Sequence, residues 1–246
     1  MAIETVAAGG GSVVDFDGVN MRVGPESAGS NPGPACYKKG GPLTVTDCNV
    51  LLGKIRPGYF PKTFGVDNKQ EIDTAEVIKK FESLTKAIND SSDTDMSSED
   101  VAEGFIHIAV SKMADAIRKI STQKGIDLSN YVLNCFGGAA GQHACQVADA
   151  LGISTILIDE NASLLSAVGV GCAKIAEIKE ETINIQFSEK ALQRTRTRVL
   201  EVKKQLSKKL LKQGIAEENQ ETLISFRLKY EGTDDSLEVT LASYRE

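Results

Sequence analysis

Tyr131-Val-Leu-Asn-Cys-Phe-Gly-Gly-Ala-Ala-Gly-Gln-His-Ala144 reads as a strand, a glycine-rich turn and the start of a helix. Tyr131 to Phe136 is mostly apolar or β-favouring, which suits a buried, central strand. Gly137, Gly138 and Gly141 follow at once, and beyond them Ala144, Val147, Ala148 and Leu151 recur at the i, i+3, i+4, i+7 spacing of one buried helix face. Glycine carries no Cβ and tolerates positive φ, so backbone can approach a ligand closely at such a turn. The free N–H groups of the helix start then point at that ligand, commonly a nucleotide. The competing reading is a tight strand-to-helix turn that holds no ligand.

Downstream, Ser154 to Asp159 is a second apolar strand and Ser163 to Ile175 a helix rich in Ala, Gly and Val. Strand, helix, strand, helix at this spacing implies a parallel α/β layer. Gly169 and Gly171 each weaken that helix by about 1 kcal/mol relative to alanine, which suggests close packing against another element or a ligand. Upstream, Ser97-x-x-Asp100 resembles a capping box. The helix it opens runs to about Gln123, with Val101, Phe105, Ile108, Ala109, Ala116, Ile117 and Ile120 as its buried stripe. Glu71 to Asn89 is expected as another helix. Thr44 to Gly53 is expected as a shorter one, started by Thr46 or Asp47 and ended by Gly53. Gly24 to Tyr37 reads as a long ordered loop, because its prolines fix φ and Ala, Cys and Tyr give it something to pack.

From Ser188 the character changes. Glu189 to Gln213 is a long helix studded with lysine and arginine, and its apolar positions leave the cations on a solvated outer face. Thr222 to Tyr230 and Ser236 to Leu241 read as strands of a terminal hairpin. A hairpin alone is marginal, so the chain is expected to stop inside a larger domain.

The 246 residues are 41% hydrophobic and 25% charged, the mix of a globular protein. No apolar stretch approaches a membrane span, and the N-terminus lacks the basic and apolar regions of a secretory signal. A net charge of −6 argues against a chain built to coat nucleic acid. The five cysteines are odd in number and none is spaced CxxC, so neither a disulfide framework nor a zinc site is signalled. Cys135 and Cys172 read as core residues, and the usage fits a reducing cytosol.

The candidate site residues follow. Gly9, Gly10, Gly11 and Ser12 offer consecutive N–H donors for a phosphate, or else form a frayed terminus or a hairpin turn. Gly137, Gly138 and Gly141 form the nucleotide turn. His143 is a polar site residue or a hydrogen-bonding residue of the first helical turn. Asp47 is a helix cap or a site carboxylate. His107, within a helix, reads as structural, and two distant histidines make no metal site.

Together these stretches resemble the hydantoinase A/oxoprolinase family. The matching segments are Thr5-Val-Ala-Ala-Gly-Gly-Gly-Ser12, Arg22-Val-Gly-Pro-Glu-Ser-Ala-Gly29, Pro32-Gly-Pro-Ala-Cys-Tyr37, Thr44-Val-Thr-Asp-Cys-Asn49 and Phe136-Gly-Gly-Ala-Ala-Gly-Gln-His-Ala144. Gly141-Gln-His-Ala144 is closer to the 5-oxoprolinase branch than to hydantoinase subunits. The resemblance implies an α/β chain that is one lobe of an actin-like ATPase fold, of the kind shared by sugar kinases and heat-shock chaperones. That lobe would span 1–187, and 188–246 would be the truncated start of the next domain. It implies ATP and Mg²⁺ as cofactors, with Gly9 to Ser12 on the phosphates, Gly137 and Gly138 against the adenosine, and Asp47 and His143 on the substrate side as catalytic residues. The implied reaction opens the cyclic amide 5-oxo-L-proline to L-glutamate with ATP hydrolysis, in the cytoplasm, within glutathione metabolism. The implied partners are the missing lobes of the same protein or a hydantoinase B-like chain, not nucleic acid or membrane. Alternatives are a hydantoinase A-type subunit and a non-catalytic relic or interaction module. Two departures stand out: Ala2 replaces an aspartate usual before the first glycine run, and Ala140 replaces a common turn glycine.

Overall fold

Asp17-Gly18 starts the fold by turning the chain back on itself. Asp17 Oδ1 accepts from the amides of Val19 and Asn20 at 2.9 and 2.7 Å, and Gly18 takes the positive φ that the bend demands. The turn joins β1 (Ser12–Phe16) to β2 (Met21–Ser27) in an antiparallel hairpin with Val14 opposite Val23. The sequence reading missed this hairpin. Gly24 and Pro25 gave β2 the composition of a loop, yet an edge strand tolerates proline because only one side of it pairs.

In this computed structural model residues 5–233 and 235–241 are described, and they fall into two units, 5–170 and 171–241. Ala2 lies outside the described residues. In the first unit α1 (Val45–Leu51), α2 (Thr74–Ser92) and α3 (Ser98–Gln123) follow the hairpin. Ser97 and Asp100 form the expected capping box: the Asp100 amide donates to Ser97 Oγ and the Ser97 amide to Asp100 Oδ2. α3 is the axis of the unit, touching α1, α2, β2 and α4 (Ala144–Leu151). Val23, Val45, Val77, Phe81, Val101, Phe105 and Ile106 are fully buried around it. The stripe on α3 is rotated from expectation. Val101, Phe105 and Ala109 are buried as foreseen, but Ile106, Val110 and Ala114 are buried where Ile108, Ala116, Ile117 and Ile120 are only half-buried. The helix is enclosed by neighbours on more than one side, so its buried face is wider than a single stripe.

The strand–turn–helix predicted at Tyr131 is present as β3 (Val132–Cys135), a turn and α4, and β4 (Thr155–Ile158) pairs with β3 in parallel. The strand is not buried and central, however. Among the described residues the sheet has two strands only. Leu133 and Ile156 lean on the core, while Tyr131, Val132 and Leu157 are more than half exposed. Apolar composition records what a strand is suited to pack against, not whether that cover is present. The same correction applies to α5 (Leu165–Cys172), which has no buried residue. Among the described residues, no atom of another element lies within 4 Å of where a Cβ would stand at Gly169 or Gly171, so of the two expected causes, packing against another element is not found. Cys172 is exposed rather than core; Cys135 is buried as expected.

The second unit holds α6 (Glu189–Lys212) and the antiparallel hairpin β5 (Ile224–Leu228) and β6 (Leu237–Leu241). The cations of α6 are partly neutralised within the unit. Arg198 makes a two-pronged contact with Glu181 at 2.8 and 2.7 Å, and Lys209 meets Glu177 at 3.3 Å. None of the helices, among the described residues, is long and apolar enough to cross a membrane.

Candidate functional site

The site is organised on α1, a helix of seven residues. Its N-cap is Thr44, not Thr46 or Asp47 as the sequence suggested. Asp47 occupies the third helical position, where a carboxylate can turn back to the cap. It is fully buried and both its oxygens accept hydrogen bonds. Oδ2 accepts from the Thr44 amide at 2.8 Å, the Thr44 hydroxyl at 2.9 Å and the Ala35 amide at 3.1 Å; Oδ1 accepts from the Cys36 amide at 2.8 Å. Asp47 therefore bolts the Ala35–Tyr37 turn onto the start of α1. Burial first, and then the Asp47 charge, push the Cys36 and Cys48 thiols well above their ordinary range. Both are held as thiols, not as nucleophilic thiolates.

Thr46, one residue earlier, holds the first glycine run. Its amide and hydroxyl both donate to the Gly10 carbonyl at 2.9 Å. The Gly9 carbonyl accepts from the Ser12 amide at 2.9 Å and that of Gly11 from the Ala28 amide at 2.8 Å. A Cβ on Gly10 would stand 2.7 Å from Thr46 Oγ1, and one on Gly11 would stand 3.1 Å from Ser27 Oγ. Gly10 is thus held to glycine by the hydrogen-bonded Thr46 hydroxyl, while a methyl group at Gly11 would ask only the exposed Ser27 side chain to give way slightly. Gly9 has open space, and Ser12 is buried at the head of β1.

The second glycine run differs. Gly137 has φ +96 and donates its amide to the Ala162 carbonyl at 2.8 Å, so its backbone shape calls for glycine. Gly138 and Gly141 have no positive φ, and nothing lies within 4 Å of a Cβ on any of the three. Neither backbone shape nor internal packing explains glycine at 138 or 141.

His143 ends this turn as the residue before α4, and its side chain is directed inward, 4% exposed. It meets Asn49, one turn along α1 from Thr46 and 1% exposed, with Asn49 Nδ2 3.3 Å from His143 Nε2. Sequence reasoning missed Asn49. The available signal was a polar side chain one helical turn from Val45 on the buried face of a short helix. Lys54 Nζ, donating to Gln146 Oε1 at 3.2 Å, makes a second tie from the α1 side to α4. α1 thus meets the first glycine run at Gly10 and the residue that ends the second, His143. His107, in contrast, is exposed on α3.

Burial, and secondarily the nearby Lys54 charge, lower the His143 pKa, so the ring is neutral. An unfolded chain takes up a proton near the ordinary value of ~6.5 that the folded chain resists, so this contribution to stability is complete above that pH and is lost as pH falls below it. The urea midpoint is expected to fall between pH 7.5 and 5.5, and His143→Gln to flatten that dependence. Equal slopes in the two proteins would remove His143 as its source.

The comparisons with known proteins place the chain by descent. The hydantoinase/oxoprolinase profile matches residues 1–179, and the chain belongs to that family. Over 96% of its length it is 40% identical to 5-oxoprolinase 1 of Arabidopsis thaliana and 42% identical to 5-oxoprolinase of Saccharomyces cerevisiae. It spans only 19% and 18% of those proteins. Among solved structures, a nucleotide-free acetone carboxylase, described as ATP-dependent, matches with a TM-score of 0.70 and 26% identity over 96% of this chain and 34% of the other. The ATP-dependent caprolactamase of Pseudomonas jessenii matches with a TM-score of 0.64 and 30% identity over 98% of this chain and 34% of the other.

Proposed function

We propose that the chain forms one wall of the nucleotide cleft of an ATP-dependent 5-oxoprolinase, which opens 5-oxo-L-proline to L-glutamate with ATP hydrolysis. The observation that carries this reading is the open turn at Gly137, Gly138 and Gly141. Among the described residues nothing crowds a Cβ at Gly138 or Gly141, and neither takes a positive φ, which is what a cradle for a closely approaching ligand requires. The wall belongs to one lobe of an actin-like fold, with the 188–246 segment opening a following domain. The 5-oxoprolinase relatives and the ATP-dependent structural neighbours support the assignment.

The chemistry explains the nucleotide. Amide resonance makes a lactam carbonyl a poor electrophile. Transfer of a phosphoryl group to the lactam oxygen removes that resonance and supplies a leaving group for water. In this reading Gly137, Gly138 and Gly141 let the nucleotide lie against backbone. The Gly9–Ser12 run, with the Gly10 carbonyl fixed to Thr46 and the Gly11 carbonyl to Ala28, presents the phosphate side. His143 and Asp47 set the positions of the two glycine runs within this wall rather than touching substrate, since both are buried. Mg²⁺ would neutralise phosphate charge. Among the described residues, though, no three His, Cys, Asp or Glu side chains stand together to hold it, and no step here is assigned to it. The remaining walls of the cleft would come from further parts of the same protein or from a hydantoinase B-like partner chain, and the site of action would be the cytoplasm.

The test is calorimetric titration with Mg-ATP, followed by 5-oxoproline-dependent phosphate release in the assembled enzyme. Binding in the millimolar range or tighter is expected. Gly138→Val should weaken it at least tenfold, about 1.4 kcal/mol, with the thermal midpoint unchanged because the new side chain enters open space. Unchanged affinity would make the turn structural, and release driven by hydantoin instead of 5-oxoproline would redirect the substrate.

A further inference from the structure

Among the described residues, two buried side-chain polar atoms have no hydrogen-bond partner within the chain: Asn49 Oδ1 and His143 Nδ1. They belong to the same pair, which joins residues 94 positions apart in sequence. An unmet buried donor or acceptor costs about 1–3 kcal/mol, whereas an apolar pair of similar shape would be close to neutral. Stability therefore does not explain why asparagine and histidine stand here. Their placement does. His143 is the last residue of the glycine turn, with its amide donating to Ala140 at 3.1 Å and its carbonyl accepting from Val147 at 2.9 Å. Asn49 lies on the helix whose Thr46 grips Gly10. With the Asn49 amide nitrogen as the atom facing the ring, it donates to Nε2, and this pairing assigns the proton of the neutral ring to Nδ1.

We infer that Asn49 is a positioning residue for the glycine turn: its amide holds the His143 ring in the Nδ1–H tautomer and locks the turn to α1, so that both glycine runs are carried by one helix. An apolar side chain could fill the space but could not choose the tautomer or resist sliding of the ring. A hydrogen bond does both, and the two unmet atoms are the cost of that selection. The consequence for nucleotide binding rests on the function proposed above; the positioning itself does not.

The chain contains only two histidines, so ¹⁵N-imidazole NMR on the full chain resolves the ring directly. The wild type is expected to show a neutral His143 protonated on Nδ1. In Asn49→Leu that preference should disappear, and the amides of Gln142, His143 and Val147 should exchange at least tenfold faster while protection along α3 is kept. Asn49→Asp offers a carboxylate that accepts from the ring instead, so the proton should move to Nε2 while the turn amides stay protected within about threefold. This variant decides the matter if Asn49→Leu does not fold. A wild-type ring protonated on Nε2, an unchanged tautomer in Asn49→Asp, or turn amides in a folded Asn49→Leu that exchange as in the wild type would each overturn the inference. Mg-ATP titration of the wild type separates the two ideas. Absence of binding there ends the nucleotide reading, while the tautomer and exchange data continue to judge the role of Asn49.

Discussion

Asp47→Ala is expected to lower the stability of the 5–170 unit by about 3–5 kcal/mol, measured as a shift in the guanidinium or urea midpoint. The carboxylate accepts four hydrogen bonds in a site with no solvent exposure. Its removal strands the amides of Ala35, Cys36 and Thr44, and each unmet buried donor costs about 1–3 kcal/mol before partial relaxation. Against a total stability of about 5–15 kcal/mol, that loss leaves the protein near its unfolding threshold. Asp47→Asn should be milder. Oδ2 serves three donors and Oδ1 only one, so the amide nitrogen will take the Oδ1 position and oppose the Cys36 amide alone. A stable, well-folded Asp47→Ala protein that has lost turnover in the assembled enzyme would contradict this and restore a chemical role for the carboxylate.

Gly41→Ala is the second large effect. A Cβ at Gly41 would overlap the Gly33 carbonyl oxygen and stand 2.9 Å from the Gly33 carbonyl carbon and 3.2 Å from that of Pro34. All three are backbone atoms, which cannot step aside as a flexible side chain can. The Gly41 carbonyl is also held by Lys80 Nζ at 2.6 Å, so the segment cannot simply move away from α2. Overpacking of this kind costs about 3 kcal/mol, and limited proteolysis should show early cleavage between residues 28 and 41. Gly138→Ala is the internal control. It adds the same methyl group in open space and should change the midpoint by less than about 0.5 kcal/mol. Equal midpoints for the two variants would show that the crossing at Gly41 is not a constraint on the fold.

What could be read from the sequence was local. The Ser97–Asp100 box and the face formed by Ala144, Val147, Ala148 and Leu151 are each decided within one or two helical turns, and both are present. The parallel pairing of β3 with β4 was legible because a helix between two apolar strands leaves few alternatives. The rest depended on meetings across the chain. Asp47 was visible as a carboxylate near a helix start, but its partners at Ala35 and Cys36 belong to a loop whose path no periodicity records. Asn49 and His143 are 94 residues apart, and only the packing of α4 on α3 and of α3 on α1 brings them together. The β1–β2 hairpin was hidden by the glycine and proline that its edge position permits.

The two-stranded sheet of β3 and β4 has a consequence for how the molecule behaves in a cell or a test tube. Val132 and Leu157 are 52% and 55% exposed on the face turned from the core, and among the described residues each strand is paired along one side only. Unpaired strand edges beside apolar side chains act as templates for other chains. Turbidity and chaperone capture should then scale with how much of this ribbon is shielded, so colloidal behaviour, rather than turnover, becomes the most sensitive gauge of whether the surface has been covered.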